Sequence, residues 1–392
     1  MKLCSQMAMR FPPTGLLYVG GALRKAGYEV ELLHITPEEV QESVKKIVQM
    51  SPLFVGFSVF TGDAMRAHGE MCREIKRLSR IPIVWGNVHP SLLPEQCLNE
   101  SYIDIVVIGE GEVTAVDLSR ILEINGNLSE VLGIGYKVNG EVRINPPRHL
   151  ITNLDQYPID WSLVDVQRYI SPAWEMKRML PLVTSRGCPY RCTFCYNIKF
   201  NQRQWRSHSV DFVVTHISEL KKRYELDGIF YHDDNFFVDK KRAFEILRRI
   251  NLSYYAECRV ELINDKFANQ LAETGCKGLL VGLESGSDRI LKMIQKDSTV
   301  DNIYRAAEAL SKHPSVCLHG STIMAYPTET REEFNDTLQM INRVFELHPN
   351  TNFTTGFYLP YPGGELYDLA IKEGFSPPSR TEDWELLDRW EA

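Results

Sequence analysis

The 392-residue sequence has no apolar run long enough to cross a bilayer, and no continuous hydrophobic stretch follows Lys2 to make a leader. A cytoplasmic protein with no membrane partner is expected. An excess of positive charge is also missing. The 44 Lys and Arg residues face 51 Asp and Glu, a net charge of -7, so no basic stripe is available to hold nucleic acid phosphates. Two small basic clusters, at 221–223 and 240–242, fall on expected helices and read as solvated faces. No GxGxxG or Walker sequence follows any expected strand, which removes the common nucleotide signatures. No Ser-His-Asp or HExxH pattern occurs. The nine cysteines are odd in number, and those at positions 4, 72, 97, 258, 276 and 317 are scattered, which a reducing compartment explains better than a disulfide scaffold does.

The other three cysteines are not scattered. Cys188, Cys192 and Cys195 fall in one short loop, RGCPYRCTFCYN, at Cx3Cx2C spacing. Three thiols so placed can reach three corners of one iron–sulfur cube. No cysteine or histidine lies in residues 199–206 to close a fourth corner, so one iron is expected to stay open. Rival readings are a zinc knuckle completed by distant His208, a disulfide leaving one odd thiol, and three buried structural cysteines. Metal-type spacing in a chain of this composition favours the cluster.

Around this loop the chain divides into two α/β regions. Residues 1–143 alternate helix and strand: helices at 14–25, 37–49, 63–78, from 94 and at 112–124, and strands at 28–34, 53–58, 81–85 and 103–108. That alternation predicts a doubly wound, Rossmann-like parallel sheet with helices on both faces, and ligands at the carboxyl ends of its strands. A hairpin turning at Asn139-Gly140 closes the region. Residues 144–175, rich in proline, read as an ordered linker. Residues 176–392 carry strands at 182–184, 228–232, 254–258, 278–283, 316–324 and 353–359 with helices between them, a pattern that predicts a partial (β/α)6 barrel with its chemistry at the strand ends.

The cysteine loop, with an aromatic just before its last thiol, resembles the radical S-adenosylmethionine (radical SAM) superfamily, in which SAM chelates the open iron. The resemblance implies a 4Fe-4S cluster on Cys188, Cys192 and Cys195 and a SAM site formed by Phe194 near the adenine, Asp233, Asp234 and Asn235 near the amino group, Arg259 near the carboxylate, Glu284 near the ribose and Ser321 in the segment that approaches the adenine. The PGG segment near residue 363 resembles that family's PGT segment.

The N-terminal region resembles the cobalamin-binding domain that precedes many radical SAM enzymes, from the entry FPPTGLLYVGGALRKAGYEV to about residue 125. That resemblance implies cobalamin contacts at Ser58, Thr61, Gly62, Gly86, Asn87, His89, Gly109, Glu110, Gly111 and Glu112. A first strand is expected ahead of Phe11, Trp85 is expected to narrow the space over its strand end, and no DxHxxG motif marks a lower axial histidine on cobalt. Together the resemblances imply C-methylation of a small molecule at an unactivated carbon, through a 5'-deoxyadenosyl radical and with electrons from a flavodoxin- or ferredoxin-type reductase. The alternatives are a radical cyclase or rearrangement enzyme without methyl transfer, and a non-enzymatic corrinoid or iron–sulfur carrier.

Overall fold

The structure, a computed structural model, describes residues 11–62 and 64–387. Its N-terminal sheet has five strands in the order Val55–Ser58, Ile83–Gly86, Ile105–Val107, Ile134–Val138, Glu141–Ile144. The first three are parallel, and the hairpin adds two antiparallel strands beside Ile105–Val107. The hairpin turns at Asn139 and Gly140, both left-handed (φ 53° and 87°), as a tight turn between twisted strands requires. The helices Val40–Met50, Met65–Leu78 and Pro94–Asn99 bury Val44, Ile47, Cys72, Ile75 and Leu98 with Ile83, Trp85 and Val106 on one face of the sheet. The helix Gly111–Glu123 covers Val84, Ile105 and Val107 on the other.

Two expectations are corrected here, and one element is added. Residues 28–34 form no strand. They run extended, with Leu32 and Leu33 half-buried against different cores, because no described strand brings a backbone ladder alongside them. Trp85 points away from the strand end into the helix layer, where its Nε1 donates to Cys72 Sγ at 3.4 Å. A short helix, Val88–Leu92, was not expected; the Asn87 side chain caps it by accepting from Val88 N at 2.8 Å. The strand expected before Phe11 lies outside the described residues.

The C-terminal sheet holds six parallel strands in the order Thr351–Phe357, Cys317–Met324, Cys276–Glu284, Ser253–Arg259, Gly228–Tyr231 and Met176–Leu182. An antiparallel edge strand, Ser171–Ala173, is recruited from the stretch read as linker. The helices Val210–Tyr224 and Lys240–Ile250 start and stop where the sequence places them, because Ser209 and Asp239 accept from the third helical N–H and Glu225 and Asn251 end each helix in the left-handed region. Their apolar stripes pack against one face of the sheet in a single large core. This is an open, curled half-barrel. No helix among the described residues is long and apolar enough to cross a membrane.

The last described segment, Thr381–Leu387, returns to the N-terminal domain. Trp384 is fully buried beside Trp85 and Met65 and donates to Gln96 Oε1 at 2.8 Å. Glu382 pairs with Arg73 and accepts from Tyr102 at 2.8 Å, and Glu385 accepts from the Arg66 amide at 2.8 Å.

Candidate active site at the cysteine loop

The loop is shaped before it meets any ligand. Gly187 is left-handed (φ 80°), and a Cβ there would strike the Gln204 carbonyl oxygen, so the turn into Cys188 requires glycine. Asp234 accepts from the Gly187 amide at 2.8 Å and from Asn197 Nδ2 at 2.6 Å, gripping both ends of the loop. Asp233, fully buried, accepts from the Thr184 amide at 3.0 Å and from the hydroxyls of Thr184 and Ser185. The two carboxylates expected near the amino group of SAM therefore scaffold the loop. Asn235 is buried, with its Nδ2 unpartnered.

The PGG segment closes on the loop from the far side. Leu366 N donates to Thr193 O at 3.1 Å, and a Cβ on Gly364 would strike that same carbonyl. Gly364→Ala is expected to loosen the loop, destabilising the fold by about 1–3 kcal/mol and speeding cluster loss to a chelator. Denaturation and the decay of iron–sulfur absorbance measure the two effects.

All three thiols are free, and burial pushes Cys188 up to about 11 and Cys195 up to about 12, so taking up metal must displace their protons. Arg259 Nη1 lies 3.3 Å from Cys192 Sγ, and its guanidinium sits 3.7 Å from the Tyr190 ring centroid. His208, the fourth ligand a zinc knuckle would need, is committed elsewhere: Nε2 meets Tyr18 OH at 3.0 Å and Nδ1 meets Asp155 at 2.9 Å. Among the described residues no three His, Cys, Asp or Glu side chains converge as the ligands of a single ion would. Thiols on separate corners suit a cube better than one ion, and a cluster fits this donor set.

Beyond the loop, Arg259, Gly282 and Ser321 sit in register on three adjacent strands. Gly282 leaves room for a buried ion pair, Glu284 Oε1 to Lys296 Nζ at 2.6 Å. Arg259 pairs with Glu261 and donates to the Lys296 carbonyl, so Arg259 and Glu284 are each paired with a neighbour, not with one another. Glu284 is left-handed (φ 63°), a costly conformation for a non-glycine residue and one that clusters at ligand sites. Phe194 packs on the barrel core with its ring centroid 6.4 Å from that of Tyr326. On the same strand as Arg259 and two residues away, Glu257 meets His232 Nδ1 at 2.5 Å.

The loops expected to meet cobalamin are tied to one another. Asn87 Nδ2 donates to Ser58 Oγ at 2.9 Å, and Ser91 Oγ links the Asn87 carbonyl to the left-handed Gly109, whose N–H it accepts at 2.9 Å. Thr61 Oγ1 meets His89 Nδ1 at 3.0 Å; Gly62 N donates to Met65 Sδ, and the Gly86 carbonyl accepts from Val59 N. The His89 ring is fully buried next to Trp384, and its Nε2 is left without a partner. Such an orphaned donor or acceptor beside glycine-bearing strand ends fits a large polar cofactor. Gly111 opens a helix and lies near Val19, while Glu110 and Glu112 face the barrel and not these loops.

Sequence reasoning missed Lys296, Arg186, Arg206 and the His232–Glu257 pair. Lys296 lies twelve residues from its partner Glu284, with no periodicity to join them; Arg186 adjoins the cysteines, which was the one available signal.

Burial drives His89 and His208 down to about 4. The unfolded chain, with histidines near 6.5, then binds the extra protons, so stability is complete above about pH 6.5 and is lost as pH falls toward 4. Asp233, pushed up to about 6 by burial, opposes this over part of the same window, because there the folded chain is the one that binds the proton. These three groups together contribute a loss of about 2–3 kcal/mol between pH 7 and 5. Denaturant titrations at both pH values measure it, and His208→Gln should flatten the slope.

Comparison with known proteins places this geometry. The profile of the Radical SAM superfamily matches residues 182–341 and that of the B12 binding domain matches residues 3–119. An uncharacterized methyltransferase of Pyrococcus horikoshii is 34% identical over 92% of this chain and 78% of its own. The anaerobic magnesium-protoporphyrin IX monomethyl ester cyclase of Synechocystis is 28% identical over 92% and 73%. In fold, the chain is similar to the radical SAM methyltransferase TsrM of Kitasatospora setae, solved with cobalamin and a [4Fe-4S] cluster: TM-score 0.75 at 19% identity, covering 97% of this chain and 80% of that one. With its B12-binding sheet, its half-barrel and its three-cysteine loop, the chain belongs to the cobalamin-dependent radical SAM enzymes, whose cofactors are a 4Fe-4S cluster, SAM and cobalamin.

Proposed function

We propose that this enzyme methylates an unactivated carbon of a small molecule. The observation that carries the reading is the joining of two sites: the glycine-bearing strand ends of the B12-binding domain and the cysteine loop of the half-barrel meet through Glu110, Glu112, Arg186 and Arg206. When bound, the cluster and SAM supply hydrogen abstraction from carbon, and cobalamin supplies a methyl group. Cys188, Cys192 and Cys195 hold the cluster. Arg259 places positive charge beside Cys192, while Asp233 and Asp234 fix the loop's shape. Phe194, Asn235, Glu284 and Ser321 line the SAM site, with Glu284 directed by Lys296. Ser58, Thr61, Gly62, Gly86, Asn87, His89, Gly109 and Gly111 frame the cobalamin site. The methyltransferase from P. horikoshii and TsrM support methyl transfer over ring formation.

The cyclase likeness supports a second reading, a radical reaction without methyl transfer. The eight described cysteines, all free, fit a reducing cytoplasm, and a flavodoxin- or ferredoxin-type reductase would supply the electron.

The test is anaerobic reconstitution with iron, sulfide, cobalamin and methyl-labelled SAM, reduced by dithionite in the presence of a small-molecule extract. Labelled methyl in a small-molecule product supports the methyltransferase. 5'-Deoxyadenosine with no labelled product favours the cyclase reading, and neither product, with cluster and SAM bound, favours a carrier.

A further inference from the structure

Glu110 and Glu112 stand where cobalamin contacts were expected, yet both reach the other domain. Arg186, the residue before Gly187 and Cys188, donates to Glu110 Oε1 at 2.8 Å and to Glu112 Oε1 at 2.6 Å, with its guanidinium over the Tyr18 ring at 4.3 Å. Arg206 donates to both Glu110 oxygens at 2.8 Å, to the Ile151 carbonyl at 2.9 Å and to Asn201 Oδ1 at 2.8 Å. The Glu110 carboxylate also accepts from the Ile151 amide at 2.6 Å. Arg186 and Arg206 face each other on the two-stranded ribbon Ser185–Arg186 and Arg206–Ser207 that frames the cysteine loop. The four side chains are between 3% and 16% exposed, so solvent barely screens them, and two cations balance two anions. Burial alone would raise the Glu110 carboxyl, but the two guanidiniums hold it below its ordinary value.

We propose that Glu110 and Glu112 are positioning residues: through Arg186 and Arg206 they lock the carboxyl end of the Ile105–Val107 strand to the root of the cysteine loop and so set the separation between cobalt and cluster. The arrangement suits a lock better than a surface latch. Both oxygens of Glu110 are used, the planar guanidinium of Arg186 bridges two carboxylates, and Arg186 stands two residues before Cys188 while Glu110 follows the Ile105–Val107 strand end. Rotating one domain would leave buried charges without partners.

The test uses full-length protein loaded with cluster and cobalamin and reduced to the paramagnetic state of each. Pulsed dipolar spectroscopy between the two spins reads their separation with no substrate present. Wild type is expected to give one narrow distance distribution, at least doubled in width in Glu110→Gln and shifted or broadened less in Glu112→Gln. Arg186→Lys, which keeps the charge but cannot bridge two carboxylates, is expected to resemble Glu110→Gln and decides the matter should Glu110→Gln fail to fold. Distributions of wild-type width and centre in these variants, with both spin signals at full strength, would overturn the proposal.

Discussion

Replacing any one of Cys188, Cys192 and Cys195 with alanine is expected to abolish the iron–sulfur chromophore of anaerobically reconstituted protein and reduce 5'-deoxyadenosine formation to background. The effect should be all or nothing, since a cube held at two corners has no replacement ligand free to take the third: His208 is tied to Tyr18 and Asp155, and Cys72, Cys97, Cys258, Cys276 and Cys317 are buried. The same change at Cys258 or Cys276 should leave the chromophore intact. Those thiols fill small spaces in the barrel core, where Sγ removal costs about 1 kcal/mol. His208→Gln should also keep the chromophore. Loss of bound metal in His208→Gln, or zinc in place of iron in anaerobic wild type, would sink the cluster assignment. Iron and sulfide analysis beside absorbance reads all of these at once.

Lys296→Met is expected to destabilise the fold by about 3–5 kcal/mol, as loss of one member of a buried ion pair does. The side chains of Lys296 and Glu284 are 7% and 6% exposed, and among the described residues Glu284 forms no other ion pair, the nearby Arg259 being paired with Glu261. Burial would push the lysine's charge off, but the adjacent Glu284 keeps it on, so the pair folds as an ion pair. Changing both members, Lys296→Met with Glu284→Gln, should restore most of the lost stability while leaving SAM binding weak. That split separates the stability role of the pair from the role proposed for Glu284 in binding SAM. Denaturant unfolding gives the first quantity and equilibrium SAM binding the second; a single-variant loss under about 1 kcal/mol would mean that solvent screens the pair.

Much of the fold was legible where local chemistry and tertiary demand agree. The helices Thr14–Lys25, Val210–Tyr224 and Lys240–Ile250 match their expected bounds. In the last two the capping residue, the apolar stripe and the left-handed stop coincide in sequence. Residues 28–34 misled for the opposite reason. Alternation makes a chain able to be a strand, but only a neighbour's backbone makes it one. Ser171–Ala173 reverses the case, a stretch with proline and no alternation that becomes an edge strand because Met176–Leu182 offers it a ladder. The cysteine loop was readable because its three thiols lie within eight residues. Asp233 and Asp234 were expected beside the amino group of SAM, and their place in the loop's scaffold was not legible: the donors they accept from, the Thr184 and Gly187 amides, lie forty-seven and more residues earlier, and no spacing rule reaches that far. Glu110 and Arg186, seventy-six residues apart, illustrate the same limit.

The return of Thr381–Leu387 to the first domain has a mechanical consequence. The polypeptide leaves the B12-binding sheet once, through residues 144–175, and comes home at Trp384, so covalent bonds on one side and a buried indole on the other make the molecule a closed ring. A ring cannot swing like a door on one hinge. Each domain raises the other's local concentration at the second contact, and parting the domains to admit a bulky guest requires that the indole be withdrawn and the Glu110–Arg186 contact broken.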